Sequence, residues 1–480
     1  MTKKENTTEL QKVEQKKFVF PDVRVLLFCF TVLAAVLTWI VPAGEFDTEK
    51  VGNLTRVIPG TFHYVEQCPQ GIWEVFNATV MGFTKQASLI SMICFIGAAI
   101  YMMQETGAFE LAFRRLIRRS GNEYLLIFIL MVLISIGGAT GVFANPAVAL
   151  VPIGIVLSSS MGLDKAVGAL MIYWGAYCGF NVGWAVPASL GTAQTIAELP
   201  MFSGYQVRIL FHIINFTLTY VFLLKYIVEI KKDHTKSLNY TAGMSRSDVL
   251  GMKLSSADTD EDEKLTIAQI LTLIVMLAAI AAVIVGSIKF SWSYTHFSTV
   301  FFMAAIAIGI INRYSPNKIS KIFVKGFAKM IPASSVVGFA NGISTILNAG
   351  KILNTLVYAL SIPIGQAGAV GGSVLMFIAN FFINCFIGSG SGQATAVMPI
   401  MAPLADVTGI TRQVAVQAFQ FGDGLCNSIT PTATTLMACL SLGEITWDKY
   451  MKKFWPLFLC QVVFASVSVA ILQMIGWTGL

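Results

Sequence analysis

Residues 141–175, GVFANPAVALVPIGIVLSSSMGLDKAVGALMIYWG, and residues 388–422, GSGSGQATAVMPIMAPLADVTGITRQVAVQAFQFG, align without a gap at a spacing of 247. Gly141, Gly162 and Gly175 meet Gly388, Gly409 and Gly422. Pro152-Ile153 meets Pro399-Ile400, Lys165 meets Arg412, and Val167 meets Val414. A chain that twice repeats an apolar segment interrupted by glycine and proline is expected to fold that segment twice in the same way. Paired interruptions of this kind are the best sequence pointer to a transporter binding site. The setting is a bilayer. Of 480 residues 55% are hydrophobic and 12% charged, whereas a soluble domain carries about a quarter charged residues. In lipid every backbone polar group needs an internal partner, so long apolar runs such as these must be helices.

Charge sets the expected topology. Lys3, Lys4, Lys12, Lys16, Lys17 and Arg24 precede the first apolar run and place the N-terminus in the cytoplasm. That run lacks a small-residue cleavage site, so no cleaved signal peptide is expected. Spans are expected over 25–41 and 86–103, with a loop over 43–85 between them and Arg114, Arg115, Arg118 and Arg119 after them. The run 123–136 is too short to cross alone, since a span needs about 20 residues. With the following run to Ser158 it reads as a re-entrant hairpin whose tip is 137–146. Residues 165–199 read as a helix broken at GFNVGWAVP, 179–187, and a span at 207–227 closes the first half.

The polar segment 231–264, acidic over 258–263, reads as a flexible cytoplasmic linker. Spans at 265–288 and 297–311 follow, the latter returning to Arg313, Lys318, Lys321, Lys325 and Lys329. Gly326-Phe327-Ala328-Lys329 then echoes Gly82-Phe83-Thr84-Lys85, each before a span. A second hairpin is expected over 374–405 with its tip at 387–393. A second broken helix covers 412–442, interrupted at GDGLCNSITPT, and a last span covers 454–475. Nine spans and two hairpins result, and the unpaired span at 265–288 inverts the second half relative to the first. The expected fold is an all-α polytopic membrane protein of two inverted repeats, each with a re-entrant helical hairpin and a discontinuous transmembrane helix. Its parts are a cytoplasmic arm, 1–24; a first repeat, 25–230; a linker, 231–264; and a connecting span with the second repeat, 265–480.

Four sets of half-helix ends would then meet near the midplane. Half-helix N-termini suit a carboxylate, and C-terminal ends with unwound carbonyls suit a cation. Thr140 and Asn145 at the first tip, and Ser389, Ser391 and Gln393 at the second, are candidate substrate ligands. The same holds for Asn181 and Trp184 in the first break and for Asn427, Thr430 and Thr432 in the second. Asp423 is the one carboxylate that falls deep inside an expected span. A charge there is expensive and usually functional, so it is read as the ion-coupling group or the counter-charge of a cationic substrate. A sodium ion would sit near Asp423, Asn427 and Ser428. Tyr173, Trp174 and Tyr177 surround Asn181, and His212 is a proton-relay candidate. Of eight cysteines only Cys68 lies clearly outside an apolar segment; Cys29, Cys94 and Cys460 read as small buried hydrophobes. No P-loop, HExxH or DNA-binding motif is present, so nothing points to ATP hydrolysis, metalloenzyme chemistry or nucleic acid. The net charge of +7 is a topology signal, not a nucleic-acid footprint.

WIVPAGEF, 39–46, and QAFQFGDGLCNSITPT, 417–432, resemble the YfcC-type carriers. That family of C4-dicarboxylate anaerobic carriers includes bacterial arginine–ornithine antiporters and belongs to the ion transporter superfamily. The resemblance covers nearly the whole chain. It implies a bacterial inner-membrane secondary carrier with no cofactor, dimeric and elevator-like, coupled to protons or sodium. The resemblance also makes the hairpin tips and the 423–432 break the binding-site candidates. Two anionic groups would want several positive partners, and none falls in an expected site, which favours an amino acid, basic ones included, over a dicarboxylate.

Overall fold

The computed structural model describes residues 22–51, 54–58, 60–109, 111–112, 122–250, 265–290 and 292–479. The basic arm before Asp22, the arginines at 114–119 and the acidic run at 258–263 lie outside the described residues. The chain is mostly helical. In order the helices are α1 (Val23–Ile40), α2 (Ile72–Lys85), α3 (Ala87–Gln104), α4 (Glu123–Ala139), α5 (Ala147–Ser160), α6 (Lys165–Phe180) and α7 (Thr192–Ile196). There follow α8 (Tyr205–Lys232), α9 (Ile267–Phe290), α10 (Tyr294–Ile311), α11 (Pro316–Ala349) and α12 (Leu353–Gln366). The last are α13 (Gly368–Asn384), α14 (Gly390–Thr408), α15 (Arg412–Asn427), α16 (Thr434–Leu442) and α17 (Trp447–Met474). Four short strands between α1 and α2 form two antiparallel pairs, Gly44–Glu45 with His63–Tyr64 and Thr48–Val51 with Leu54–Val57. Among the described residues five helices, α3, α8, α10, α11 and α17, are long and apolar enough to cross a membrane.

Two differences from the expected pattern have local causes. The stretch 43–85 is not all loop, because α2 occupies its last part. Glu74 reaches back to the Gly71 amide (2.9 Å) and closes the first turn. Ile72, Trp73, Phe76 and Val80 are exposed on its surface, as lipid-facing residues would be. Asn77, Thr79 and Lys85 dilute this apolar stripe and hide it from a hydropathy reading. The second difference is α11, which runs unbroken for 34 residues and joins Lys318, Lys321, Lys325 and Lys329, expected as the basic run after one span, to the span expected after them. Pro316 sits at the first turn and Ser315 caps the Lys318 amide (3.3 Å), a strong helix start. At 1.5 Å per residue α11 is about 50 Å long, far more than a roughly 30 Å hydrocarbon layer. Its lysine-bearing end therefore has room to project.

The helices form two groups. In one, α11 packs on α1, α2 and α3, α10 packs on α3, and α9 packs on α10. Glycines set how closely these helices approach: a Cβ on Gly82 would lie 2.2 Å from the Gly338 carbonyl oxygen. In the other group α4 and α5 flank α6, α13 and α14 pack on α15, and α8 and α17 cover the outside. Gly138 and Gly179 let α4 and α6 touch backbone to backbone, with added Cβ atoms 1.8 Å from the Ala176 oxygen and 2.0 Å from the Ser135 oxygen. The groups meet where α16 lies on α11 and α5 on α3.

In the segment after α8, expected as a flexible linker, residues 233–250 are held by specific hydrogen bonds. Asp164 accepts from the Tyr226 hydroxyl (2.5 Å), the Ser237 hydroxyl (2.6 Å) and the Val167 amide (2.8 Å). Asn239 bridges the Ala166 amide (2.8 Å) and the Gly443 carbonyl (2.7 Å). This segment thus pins the start of α6 to the end of α16. Cys94 is buried, but Cys29 and Cys460 are exposed rather than buried, because each lies on the outward stripe of an outer helix.

Candidate functional site

Both expected breaks have a counterpart in the structure, but the second is shorter than expected: residues 422–427 are helical, so Asp423 lies on the helix before the break and not in it. Helix α6 stops at Phe180 and helical structure resumes at Pro187; α15 stops at Asn427 and α16 starts at Thr434. Each break lies against the turn of its own half. The Ala185 amide donates to the Ala139 carbonyl at the end of α4 (3.1 Å), and Val186 touches Gly141, whose φ of +80° permits the turn there. In the second half the Thr432 hydroxyl donates to the Cys385 carbonyl after α13 (2.9 Å).

The halves also cross-contact. The Asn181 amide donates to the Ser428 hydroxyl (3.3 Å). The Thr435 hydroxyl donates to the Asn145 oxygen (2.8 Å), and the Asn145 amide donates to the Tyr294 hydroxyl on α10 (2.9 Å). Tyr173 donates to the Asn427 carbonyl (2.7 Å). Gly390 and Gly424 make this proximity feasible. A Cβ on Gly390 would meet Asp423 Oδ2 at 2.7 Å and Ser189 at 2.8 Å; one on Gly424 would meet the Asn181 backbone at 2.3 Å.

Asp423 is fully buried. Its Oδ1 accepts from Asn384 Nδ2 (2.7 Å) and Asn427 Nδ2 (3.3 Å), whereas Oδ2 has no hydrogen-bond partner. Asn384 Nδ2 also donates to Gln393 Oε1 (2.7 Å), and Gln393 Nε2 donates to both oxygens of Asn380 (2.9 and 3.1 Å). Among the described residues no ion pair reaches Asp423. Asn181 Oδ1 and Asn384 Oδ1 are likewise buried without donors. Three oxygens in and beside the breaks, one of them a carboxylate oxygen, are thus buried without a donor, a costly state for polar atoms. Asn427, expected to offer an oxygen beside Asp423, faces it with its amide nitrogen instead. No group of three or more His, Cys, Asp or Glu side chains suited to a metal occurs among the described residues.

The other candidates are dispersed. Thr140 caps its own helix through the Ile136 and Gly137 carbonyls (3.0 and 3.1 Å). Ser389 and Ser391 are exposed, 3.4 Å from one another. Thr430 and Thr432 share a 2.7 Å hydrogen bond. Trp184 points away, donating to His212 Nδ1 (3.1 Å). Tyr173 and Tyr177 stack at 4.4 Å and Trp174 donates to Tyr450 (3.3 Å), so the aromatic cluster is packed against itself. Residues not expected complete the Asp423 cluster: Asn380, Asn384, Ser189 and Gln420, the last two joined at 3.0 Å. Two asparagines four apart in the apolar run FIANFFINC were a readable signal, since polar residues in a span seldom stand without purpose. Arg208 is also fully buried, held by Gln417 Oε1 (2.6 Å) and the Ser203 carbonyl (2.5 Å), away from Asp423.

A polytopic bundle with paired helix breaks around a buried carboxylate defines a membrane transport protein. The family model of the C4-dicarboxylate anaerobic carriers matches residues 20–474, and the chain belongs to that family. It is 30% identical to the putative basic amino acid antiporter YfcC of Escherichia coli K12, over 96% of this chain and 98% of that one. An uncharacterised protein of Haemophilus influenzae is 26% identical over 95% of this chain and 98% of its own. The crystal structure of the Alcanivorax borkumensis YdaH transporter is 18% identical and covers 96% of this chain and 100% of that one, with a TM-score of 0.43, too low for residue-level comparison. The protein is a membrane transporter.

Proposed function

We propose that this chain is a secondary active transporter of amino acids, basic ones of the arginine and ornithine type, working by exchange across the bacterial inner membrane. The observation that carries this reading is the unpartnered, buried Oδ2 of Asp423 between the two breaks. A buried carboxylate without a cation is costly, and a substrate ammonium or guanidinium would relieve that cost. The substrate carboxylate would take the free amides at the start of α14 or α16. The YfcC relative agrees with a basic amino acid. In this reading Asn181, Ser428, Asn145, Thr430 and Thr432 line the path, and Ser389, Ser391, Gln393 and Thr140 shape the tips. The two halves are inverted repeats, with α4–α5 and α13–α14 as re-entrant hairpins. In support, Asn181 and Ser428 are separated by the repeat spacing of 247 and bond to one another, as residues on a two-fold axis would. The N-terminus is cytoplasmic, and the carrier is a homodimer.

The family description supports a second reading, a carrier of C4-dicarboxylates or other organic anions. There Asp423, with Asn384 and Asn181, would hold the coupling proton or sodium. Uptake of radiolabelled arginine, and in parallel of radiolabelled succinate, into proteoliposomes loaded with ornithine, arginine or succinate separates the two. Exchange driven by ornithine and arginine is expected; exchange by succinate alone overturns the amino-acid reading. Asp423→Asn is expected to reduce exchange to the background of empty vesicles while the protein elutes and melts as a folded species.

A further inference from the structure

Cys385 follows α13 at the start of the turn to α14, and Cys426 lies on α15, three residues beyond Asp423. Their sulfur atoms are 3.2 Å apart, the one sulfur–sulfur contact within hydrogen-bond reach among the described residues. Both are free thiols; Cys426 is buried, and Cys385 is partly exposed. Nothing in the transport reading uses either sulfur. Their separation is about 1 Å more than the roughly 2.05 Å of a disulfide. Cys385 is the reachable sulfur and Cys426 the sheltered one, the arrangement of an attacking and a resolving thiol.

We propose that Cys385 and Cys426 form a modification site that reacts with low-molecular-weight disulfides. The Cys385 thiolate attacks the disulfide RSSR, forming a protein–SR mixed disulfide and releasing one RSH. Cys426 then attacks the Cys385 sulfur and expels the second RSH. Two protein thiols lose two hydrogens and one RSSR becomes two RSH, so atoms and electrons balance. The new bond fastens the turn between α13 and α14 to α15, one turn from Asp423. Asn384 and Gly390 flank that same turn and touch Asp423. Resting on the transport reading above, the bond therefore holds the second tip closed over the carboxylate and stops exchange.

The full-length protein in proteoliposomes would be treated with glutathione disulfide, alkylated and digested. Mass spectrometry is expected to find one peptide pair joined through residues 385 and 426, absent after dithiothreitol and absent in Cys385→Ser and Cys426→Ser. Absence of that pair in the unaltered protein, with either cysteine carrying only glutathione, overturns the site. For each protein, arginine exchange would be compared before and after oxidation. A loss restored by dithiothreitol in the unaltered protein, and missing in both variants, is expected. Undiminished exchange in protein shown to be fully joined overturns the closure. The peptide readout needs no substrate, so failure of the amino-acid reading leaves the covalent result interpretable.

Discussion

At the scale of single residues, Asp423 stood out in the sequence because a carboxylate inside an apolar run is rare enough to be noticed alone. Its surroundings did not, because they come from α13, about 40 residues away, and from the opposite half. Asn384 is the key to them: one amide nitrogen serves both Asp423 and Gln393. Asn384→Leu would leave buried Gln393 Oε1 without its donor and Asp423 Oδ1 with only the 3.3 Å bond from Asn427, at a cost of about 1–3 kcal/mol. The variant is expected to melt several degrees lower in detergent, and a melting temperature equal to that of the unaltered protein would show the network to be idle. Arg208 was passed over for a similar reason. Nothing in its local sequence tells that Gln417, 209 residues on, closes around it. Gln417→Leu strips the acceptor from Arg208 Nε and is expected to destabilise the protein by a similar amount, with Gln417→Glu restoring it.

At the scale of elements, the turns and breaks were legible where glycine, proline and polar residues interrupt an apolar run, since those residues act locally. The breaks after Phe180 and Asn427 and the turn at 140–146 fall where the interruptions put them. Helices α2 and the first half of α11 were not legible, because mixed composition reads as loop whether or not the backbone is helical. The partial order of 233–250 was hidden too, since its anchors, Asp164 and Gly443, are distant in sequence. Crossing distances lie between these cases. Glycines in α4 and α6 were visible, but that Gly138 and Gly179 face the opposing backbone was not. Gly179→Val would drive a branched side chain into the Ser135 carbonyl and force α4 and α6 apart. Overpacking of this kind costs about 1–3 kcal/mol or more, and the variant is expected to give little folded, monodisperse protein. Gly175→Ala is the control, because its Cβ would be 3.4 Å from Ile134, an ordinary contact; equal losses in both would refute the close-crossing argument.

At the scale of the whole molecule, the repeat spacing and the charge pattern lead independently to one proposal, that the halves enter the membrane from opposite sides. The structure adds reciprocal contacts between the halves, and chemical access decides their orientation. Asn145 at the first tip meets Thr435 at the start of α16, and Gly390 at the start of α14 meets Ser189 after the first break. Each tip thus touches the helix that resumes after the other half's break, a reciprocity that a two-fold relation between the halves generates whichever way its axis runs. The consequence is chemical access. Ala367, exposed between α12 and α13, precedes the second hairpin, and Asn122, exposed before α4, precedes the first. If the hairpins open to opposite sides, cysteines placed at these positions must face opposite compartments. In a background with Cys68 replaced by serine, Ala367→Cys is expected to react in intact cells with a membrane-impermeant maleimide. Asn122→Cys is expected to react only after the membrane is opened. Labelling of both from one side would leave the hairpins on the same face, and the carboxylate at Asp423 would then lie under two turns on one side instead of between a turn from each.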